Sequence, residues 1–429
     1  MTMSNYRPVP VFDTLEHACE LFRQCQTGSD RKIVTAWLKQ CLQENAKNIP
    51  SFISREFYLA LCFLHSYRGS VDTFNAYRRE IERFTQWSWF VHKKSVLELR
   101  RTDIEMFIEF CQDPPKRWIG LKNVSRFTNK NGGRFLNPEW RPFVARVSKR
   151  AFQHGEMPEK AMFELSQSGI SQLFAILGTF YNFLIQEEVT EINPVAQIRQ
   201  KSKFIQKQSQ KTIRRLSDLQ WQTVLGTARR MADETPERHE RTFFIMQVLY
   251  GMYLRVSELA ASERWQPKMG DFFRDANGDW WFKTVGKGNK MRQVAVSPPV
   301  LDALKRYRKY LGYPALPSPD EQEPLVTKEK GSGPVSSPRV IRAIVQRCFD
   351  AAVAELIDRD KIEDAEILRS ATVHWLRHTG ISDDVKFRPR EHVRDDAGHS
   401  SSAITDRYID VELQERARTA KRKRKAEIH

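Results

Sequence analysis

The eighteen residues from 198 to 215 constrain this chain more than any other stretch. They include seven basic residues (Arg199, Lys201, Lys203, Lys207, Lys211, Arg214 and Arg215) and not one acidic residue. So many like charges without counter-charges cannot be buried cheaply. The stretch is therefore a linker, and the sequence on either side must supply separate cores. A length of 429 residues suits two or three domains of ordinary size. With 40% hydrophobic and 29% charged residues there is enough apolar material to build them.

Before the linker the pattern is helical. Leu15, Ala18, Cys19, Leu21 and Phe22 recur at helical spacing, as do Ile33, Trp37 and Leu38, then Phe52, Phe57, Leu61 and Leu64. Residues 1–66 are set apart as an N-terminal helical extension, and Arg68-Gly69-Ser70 marks a turn after it. Residues 67–197 form a second helical region. One helix carries Phe74, Tyr77, Ile81, Phe84 and Trp87; another spans about 102–111, with Thr102 or Asp103 as its N-cap. Residues 116–160 carry Asn131-Gly132-Gly133, prolines and many cations, the pattern of a loop-rich insertion. Helical spacing resumes from Ile170 to Leu184 and stops before Asn193-Pro194. Trp87, Trp89 and Phe90 are expected in the core.

After the linker, Leu216-Ser217-Asp218 opens another domain, expected to span 216–415, followed by a basic tail at 416–429. Alternating apolar residues at 279–285 and 292–296 flank Gly286-Lys287-Gly288-Asn289, the signature of a β-hairpin. Helices are expected at 300–311 and 340–357. The fold class expected is mainly α with a small antiparallel β-sheet.

Seventy Lys and Arg against 53 Asp and Glu give a net charge of +17, which favours a polyanionic partner. No uninterrupted apolar run reaches the ~20 residues of a membrane span, and residues 1–12 lack the apolar core of a secretory signal. The six cysteines are scattered, with no C-x-x-C pair, so a reduced, cytoplasmic protein is expected. No metal site and no cofactor are expected.

The reactive side chains gather after residue 250. Metal-free attack on a phosphodiester needs a nucleophile, fixed cations for the non-bridging oxygens, and an acid for the leaving oxygen. Arginine suits the second task, because its planar fork matches two phosphate oxygens. Leu254-Arg255-Val256-Ser257-Glu258-Leu259 places an arginine at a helix junction, and Lys287 and Lys290 sit on the hairpin tip. His374-Trp375-Leu376-Arg377-His378-Thr379 puts His374 and Arg377 one helical turn apart. Gly398-His399-Ser400-Ser401 adds a histidine, and Tyr408 follows nine residues after it. Taken singly, each has a plainer reading: a surface arginine paired to Glu258, a solvated turn, a core histidine, a packing aromatic. The ordered set has no such reading.

In that order these motifs resemble the signature of the tyrosine recombinase (phage integrase) family, and are similar to its Xer-like branch. The resemblance covers about 216–410, with 70–112 and 168–194 similar to the family's smaller, helical core-binding domain; residues 1–65 and 116–160 have no recognised counterpart. It implies an α+β catalytic domain in which Arg255 and Arg377 clamp the scissile phosphate. Lys287 protonates the leaving 5′ oxygen, His374 assists proton transfer from the nucleophile Tyr408, and His399 hydrogen-bonds a non-bridging oxygen. It implies a site-specific recombinase that integrates, excises or resolves a mobile element or replicon, close to the nucleoid. Its partners would be double-stranded DNA with paired inverted-repeat sites, a homo-tetramer, and an accessory DNA-bending or directionality protein. Lys201, Lys203, Lys207, Lys211 and Lys290 are the expected DNA contacts. Type IB topoisomerase-like relaxation and a non-cleaving DNA-binding protein are the alternatives. Three features depart from the family pattern: Asp395-Asp396-Ala397 stand where an apolar pair precedes Gly-His, Lys386-Phe387-Arg388-Pro389-Arg390 is unusually basic, and the spacing from Arg255 to Lys287 is generous, as though a turn were inserted near Trp265 to Asp279.

Overall fold

A computed structural model describes residues 6–27, 30–42, 50–130, 132–199, 204–205, 214–286, 288–406 and 408. Lys201, Lys203, Lys207, Lys211, Lys287 and the tail at 416–429 lie outside the described residues. The chain divides into two compact units, 1–209 and 210–429.

In the first unit, in chain order, come α1 (Leu15–Thr27), α2 (Asp30–Leu42), α3 (Ser51–His65), α4 (Val71–Gln86), a π-helical turn (Trp87–His92) and α5 (Arg101–Gln112). Then follow strands β1 (Ile119–Gly120), β2 (Phe127–Lys130), β3 (Gly133–Leu136) and β4 (Phe143–Val144), and helices α6 (Lys149–Gln153) and α7 (Gln167–Gln186). Side chains set the helix starts. Ser70 accepts from the Thr73 amide at the head of α4 (3.4 Å), and Ser166 from the Gly169 amide at the head of α7 (3.1 Å). For α5 the cap is Arg100, not Thr102 or Asp103. Asp103 sits three residues in and accepts from the Arg100 amide at 2.7 Å.

The N-terminal stretch shares its core with 67–197 instead of standing apart, because one hydrophobic cluster runs from Tyr6 to Phe204. Phe12 stacks on Phe57 at 4.7 Å. The buried Glu82 carboxylate on α4 accepts from the Val11 and Phe12 amides at 2.7 and 3.1 Å. Such a pairing ties the N-terminal segment to α4 with charge-assisted bonds. Nor is 116–160 merely loop. β1 and β4 pair in parallel, β2 and β3 form a hairpin, and Trp118 and Phe143 are buried in the same cluster. Trp87 and Trp89 are buried, and Phe90 packs partly buried against the core. Among the described helices α7 alone is long and apolar enough to cross a membrane. Eight side chains of α7, from Ile170 to Leu184, are buried in the unit's own core.

The second unit begins with α8 (Asp218–Glu234), where Ser217 and Gln220 cap each other at 3.2 and 3.0 Å. Pro236 opens α9 (Pro236–Gly251), and α10 (Val256–Leu259) is a single turn. An antiparallel sheet follows: β5 (Phe272–Arg274), β6 (Trp280–Val285) and β7 (Met291–Ala295), in that spatial order. The hairpin lies within a residue or so of the expected bounds; β5 was not foreseen. The unit ends with α11 (Pro298–Tyr310), α12 (Pro338–Asp358), α13 (Ile362–Arg369), α14 (Val373–Asp384), α15 (Arg390–Ala397) and α16 (Ser402–Asp406). α12 buries Ile341, Ile344, Val345, Cys348, Phe349, Ala352, Val353 and Leu356, a helical apolar stripe. The class is the expected one: mainly helical, with a small antiparallel sheet in the second unit.

Candidate active site

Two backbone features bring the reactive side chains of the second unit together. Gly380 lets α14 run against the end of α9: a Cβ there would lie 2.1 Å from the Tyr250 carbonyl oxygen. That approach lets Arg377, one turn earlier on α14, donate to the Tyr253 carbonyl. Tyr253 itself has φ +53°, a left-handed conformation that costs a bulky residue energy and so must be held. Its hydroxyl donates to Asp384 and accepts from Arg388 at 3.0 Å. The reversal at Tyr253 sends the chain into α10 with Arg255 at its N-cap.

Arg255 is anchored by Glu258. The Glu258 carboxylate, 1% exposed, accepts from the Arg255 amide (2.8 Å) and guanidinium (3.0 Å), and from Arg292 on β7 through both prongs (2.7 and 2.8 Å). Burial alone would raise the Glu258 pKa, but Arg292 and then Arg255 hold it below the ordinary value. The hairpin arrives at the same place. A Cβ on Gly286 would lie 2.9 Å from Arg292 and 3.5 Å from the Arg255 guanidinium. Lys287 is the next residue. Lys290 closes the turn, its carbonyl accepting from the Gly286 amide at 2.8 Å, and its side chain is exposed.

The remaining groups come from α14, α15 and the residues after it. Arg377, 5% exposed, donates to the Ala397 carbonyl at 2.5 Å, and Arg255 to the Gly398 carbonyl at 3.3 Å. The two guanidiniums thus rest on carbonyls of adjacent residues. Gly398 ends α15 at φ +62°, as a left-handed C-cap requires. It turns the chain so that His399 Nδ1 lies 2.9 Å from the Thr405 hydroxyl. The half-buried Tyr408 ring stacks on His399 with centroids 5.7 Å apart and planes at 18°.

The phenol oxygen of Tyr408 lies 2.7 Å from His378 Nδ1. His374, the residue expected to assist proton transfer, is exposed, with its ring 6.1 Å from that of His378. His378 carries no expected role in the sequence motif. Its position four residues after His374 was the available signal, because i and i+4 share a helix face. Arg292 was also missed; it shares a strand face with the buried Val294, and a cation on an inward face implies a buried partner.

The electrostatics follow from crowding of cations in a partly dry place. Burial, then Arg255, pushes Arg377 down to about 9. Burial, then His374 and Arg377, pushes His378 down to about 4. Burial, then Arg377 and Arg255, pushes His399 down to about 4 as well. His374 is lowered too, by partial desolvation and then Arg377. At neutral pH the site therefore presents two arginines and neutral imidazoles. That arrangement favours an anion and leaves His378 unprotonated beside the phenol.

Two of the departures from the family pattern compensate each other. Asp396, 5% exposed, accepts from Arg388 at 2.5 Å and from the Ala295 amide at 3.3 Å. The acid before Gly398 and the base in the 386–390 segment thus form one partly buried pair, joined to Tyr253 through Arg388.

No protein-family model matches the chain. It is similar to tyrosine recombinase XerC of Leptospira interrogans, at 27% identity over 322 residues, covering 75% of this chain and 84% of the relative. It is also similar to tyrosine recombinase XerC of Bradyrhizobium diazoefficiens, at 30% identity over 198 residues, covering 44% and 54%. Among solved structures, XerH site-specific recombinase bound to palindromic difH substrate in a post-cleavage complex aligns with a TM-score of 0.52 at 15% identity, covering 96% of this chain and 98% of that one. The Tn1549 transposon integrase in complex with transposon right end DNA aligns with a TM-score of 0.50 at 14% identity, covering 85% and 98%. At such identities these two structures speak to the fold.

Proposed function

We propose that this chain, similar as it is to tyrosine recombinase XerC, cuts and rejoins DNA at specific sites with Tyr408 as nucleophile. The phenol oxygen attacks phosphorus and its proton passes to a base. The P–O bond to the 5′ oxygen breaks, and that oxygen takes a proton. The products are a 3′-phosphotyrosyl ester and a free 5′-OH. The ester keeps the bond energy, so a 5′-OH from a second strand reverses the step with no nucleotide consumed. The observation that carries this reading is the Tyr408 phenol at 2.7 Å from a neutral imidazole, in the same unit as Arg255 and Arg377.

Arg255 and Arg377 neutralise the two non-bridging oxygens, and fixed charge donors of this kind are usually the largest single contribution to such catalysis. His378 accepts the phenolic proton. His399 stacks on the Tyr408 ring and hydrogen-bonds a phosphate oxygen through its other nitrogen. Lys287 follows Gly286, which abuts Arg255 and Arg292, and supplies the proton to the leaving oxygen. His374, exposed beside Arg377, faces the DNA side. The substrate is duplex DNA with paired inverted-repeat sites, bound by four copies of the chain in the bacterial cytoplasm with a bending or directionality protein in attendance. Lys201, Lys203, Lys207, Lys211 and Lys290 contact the DNA backbone. The task is integration, excision or resolution of a mobile element or replicon.

The test is a supercoiled plasmid carrying two copies of the inverted-repeat DNA that flanks the gene. Recombinant circles formed only when both copies are present are expected. Relaxation of a site-free plasmid without recombination would instead indicate topoisomerase-like activity, and binding without any strand breakage a non-cleaving protein.

A further inference from the structure

The first unit contains a recess of about 1240 Å³ whose wall carries seven arginines against three carboxylates. Much of that wall comes from residues 13–14 and 123–146, segments with no recognised family counterpart. The carboxylates do not balance it. Asp13 is gripped by two nitrogens of Arg134, one at 2.5 Å, and Glu80 is taken by Arg79 and Arg83 at 2.6 and 2.8 Å. Glu164 is exposed. Among the described residues Arg78, Arg141 and Arg146 have no carboxylate in salt-bridge range. Arg78 bonds the Asp13 carbonyl and Asn75 Oδ1, leaving its buried Nε without an acceptor. Arg141 reaches only backbone carbonyls, Pro138 at 2.8 Å and Trp140.

Two further observations point the same way. The first turn of the 20-residue α7 lies in the wall, through Ser168 and Gly169, and has no acidic residue to offset its positive end. Burial, followed by the proximity of Arg78 and Arg79, pushes Arg126 well down, and burial lowers Arg78 to about 10. Arg126 is paired with the buried Glu82, but Arg78, Arg141 and Arg146 remain without a carboxylate partner among the described residues, an excess of cations that an anion would offset. Phosphate suits it, because a guanidinium fork pairs with two of its oxygens. The cations also run from the floor to the rim: Arg78 is half-buried, Arg79 and Arg146 are exposed. Such a path fits a chain of phosphates passing by better than one small enclosed ligand.

We propose that this recess is a phosphate-binding groove that takes backbone phosphodiesters of the DNA through Arg78, Arg141 and Arg146, beside the positive end of α7. The inference rests on the DNA-acting reading of the chain. It adds a contact surface built from the extension and the inserted strands.

The test uses the full chain with Tyr408→Phe, so that binding is measured without cleavage. Affinity for a duplex is followed by fluorescence anisotropy across a salt series. Each phosphate contact contributes about 0.9 to the slope of log affinity against log salt. Arg141→Gln/Arg146→Gln is expected to flatten the slope by about 1.8, equally on site-bearing and random duplex. Arg146→Glu, a reversal at an exposed position, is expected to flatten it by at least about 0.9. An unchanged slope in both variants, with DNA still bound, would overturn this inference and leave the recombinase reading standing. A chain that binds no DNA would sink both. The other source of phosphate is tested with ATP and with pyrophosphate: saturable quenching of tryptophan fluorescence, lost in the double variant while the DNA slope stays unchanged, would assign the recess to a free nucleotide and overturn the DNA assignment.

Discussion

Glu258→Gln should damage the second unit out of proportion to the single atom changed. One buried carboxylate takes four hydrogen bonds, two from Arg292 and two from Arg255. Glutamine keeps one acceptor oxygen and turns an NH2 group toward guanidinium donors, so donors face donors and two cations lose their counter-charge. Removing one partner of a buried ion pair costs about 3–5 kcal/mol. For a unit of about 200 residues each kcal/mol shifts the midpoint by about 2–4 °C, so a fall of about 6–20 °C is expected. Differential scanning calorimetry of the full chain at pH 7 measures it. Glu258→Met/Arg292→Met should recover part of the loss, because apolar residues of similar volume can replace a buried pair at little cost. A midpoint within about 2 °C of wild type for Glu258→Gln would refute the reasoning and mark the cluster as solvated.

Arg377→Lys should be nearly as harmful as Arg377→Ala, each lowering cleavage by about 10²–10³, because lysine keeps the charge and loses the fork that spans the Tyr253 and Ala397 carbonyls. Near-normal cleavage rates with lysine would assign Arg377 a purely structural role. His378→Ala should slow cleavage by about 10²–10⁴ and more than His374→Ala does; single-turnover rates on a nicked duplex check the order, and the reverse order would return proton transfer to His374. Because His378 and His399 are held at about 4 when folded, the unfolded chain binds protons first as pH falls. Stability should therefore decline between about pH 6.5 and 4 and be flat above it; urea midpoints at pH 7.5, 6 and 5 measure this, and a His378→Gln/His399→Gln variant with the same pH profile would contradict it.

Much of this was legible in the sequence where spacing alone decides geometry. The hairpin at 280–295 follows from alternation around a Gly-Asn turn, and the shared helix turn of His374 and Arg377 from their separation of three. Legibility failed where tertiary contacts decide. Spacing puts His374 and His378 on one face but cannot say which meets Tyr408. Arg100 caps α5 in place of Thr102 because Asp103 bonds back to its amide. The strands of 116–160 are two to four residues long, too short to show a period. Residues 6–12 join the core of 67–197 through Glu82, an acid that helical periodicity alone does not mark as inward-facing. Asp396 and Arg388 are each anomalies in the linear sequence and make sense only as a pair.

The central claim is that Tyr408 carries the covalent bond to DNA. The full chain is incubated with a duplex nicked near the cleavage position, so that a short fragment escapes and the adduct accumulates; the adduct is digested with protease and its peptide sequenced by mass spectrometry. A phosphonucleotide on Tyr408, with no adduct formed by Tyr408→Phe although it still binds the duplex, is the expected result. Adduct on another residue, or undiminished adduct from Tyr408→Phe, would contradict the account.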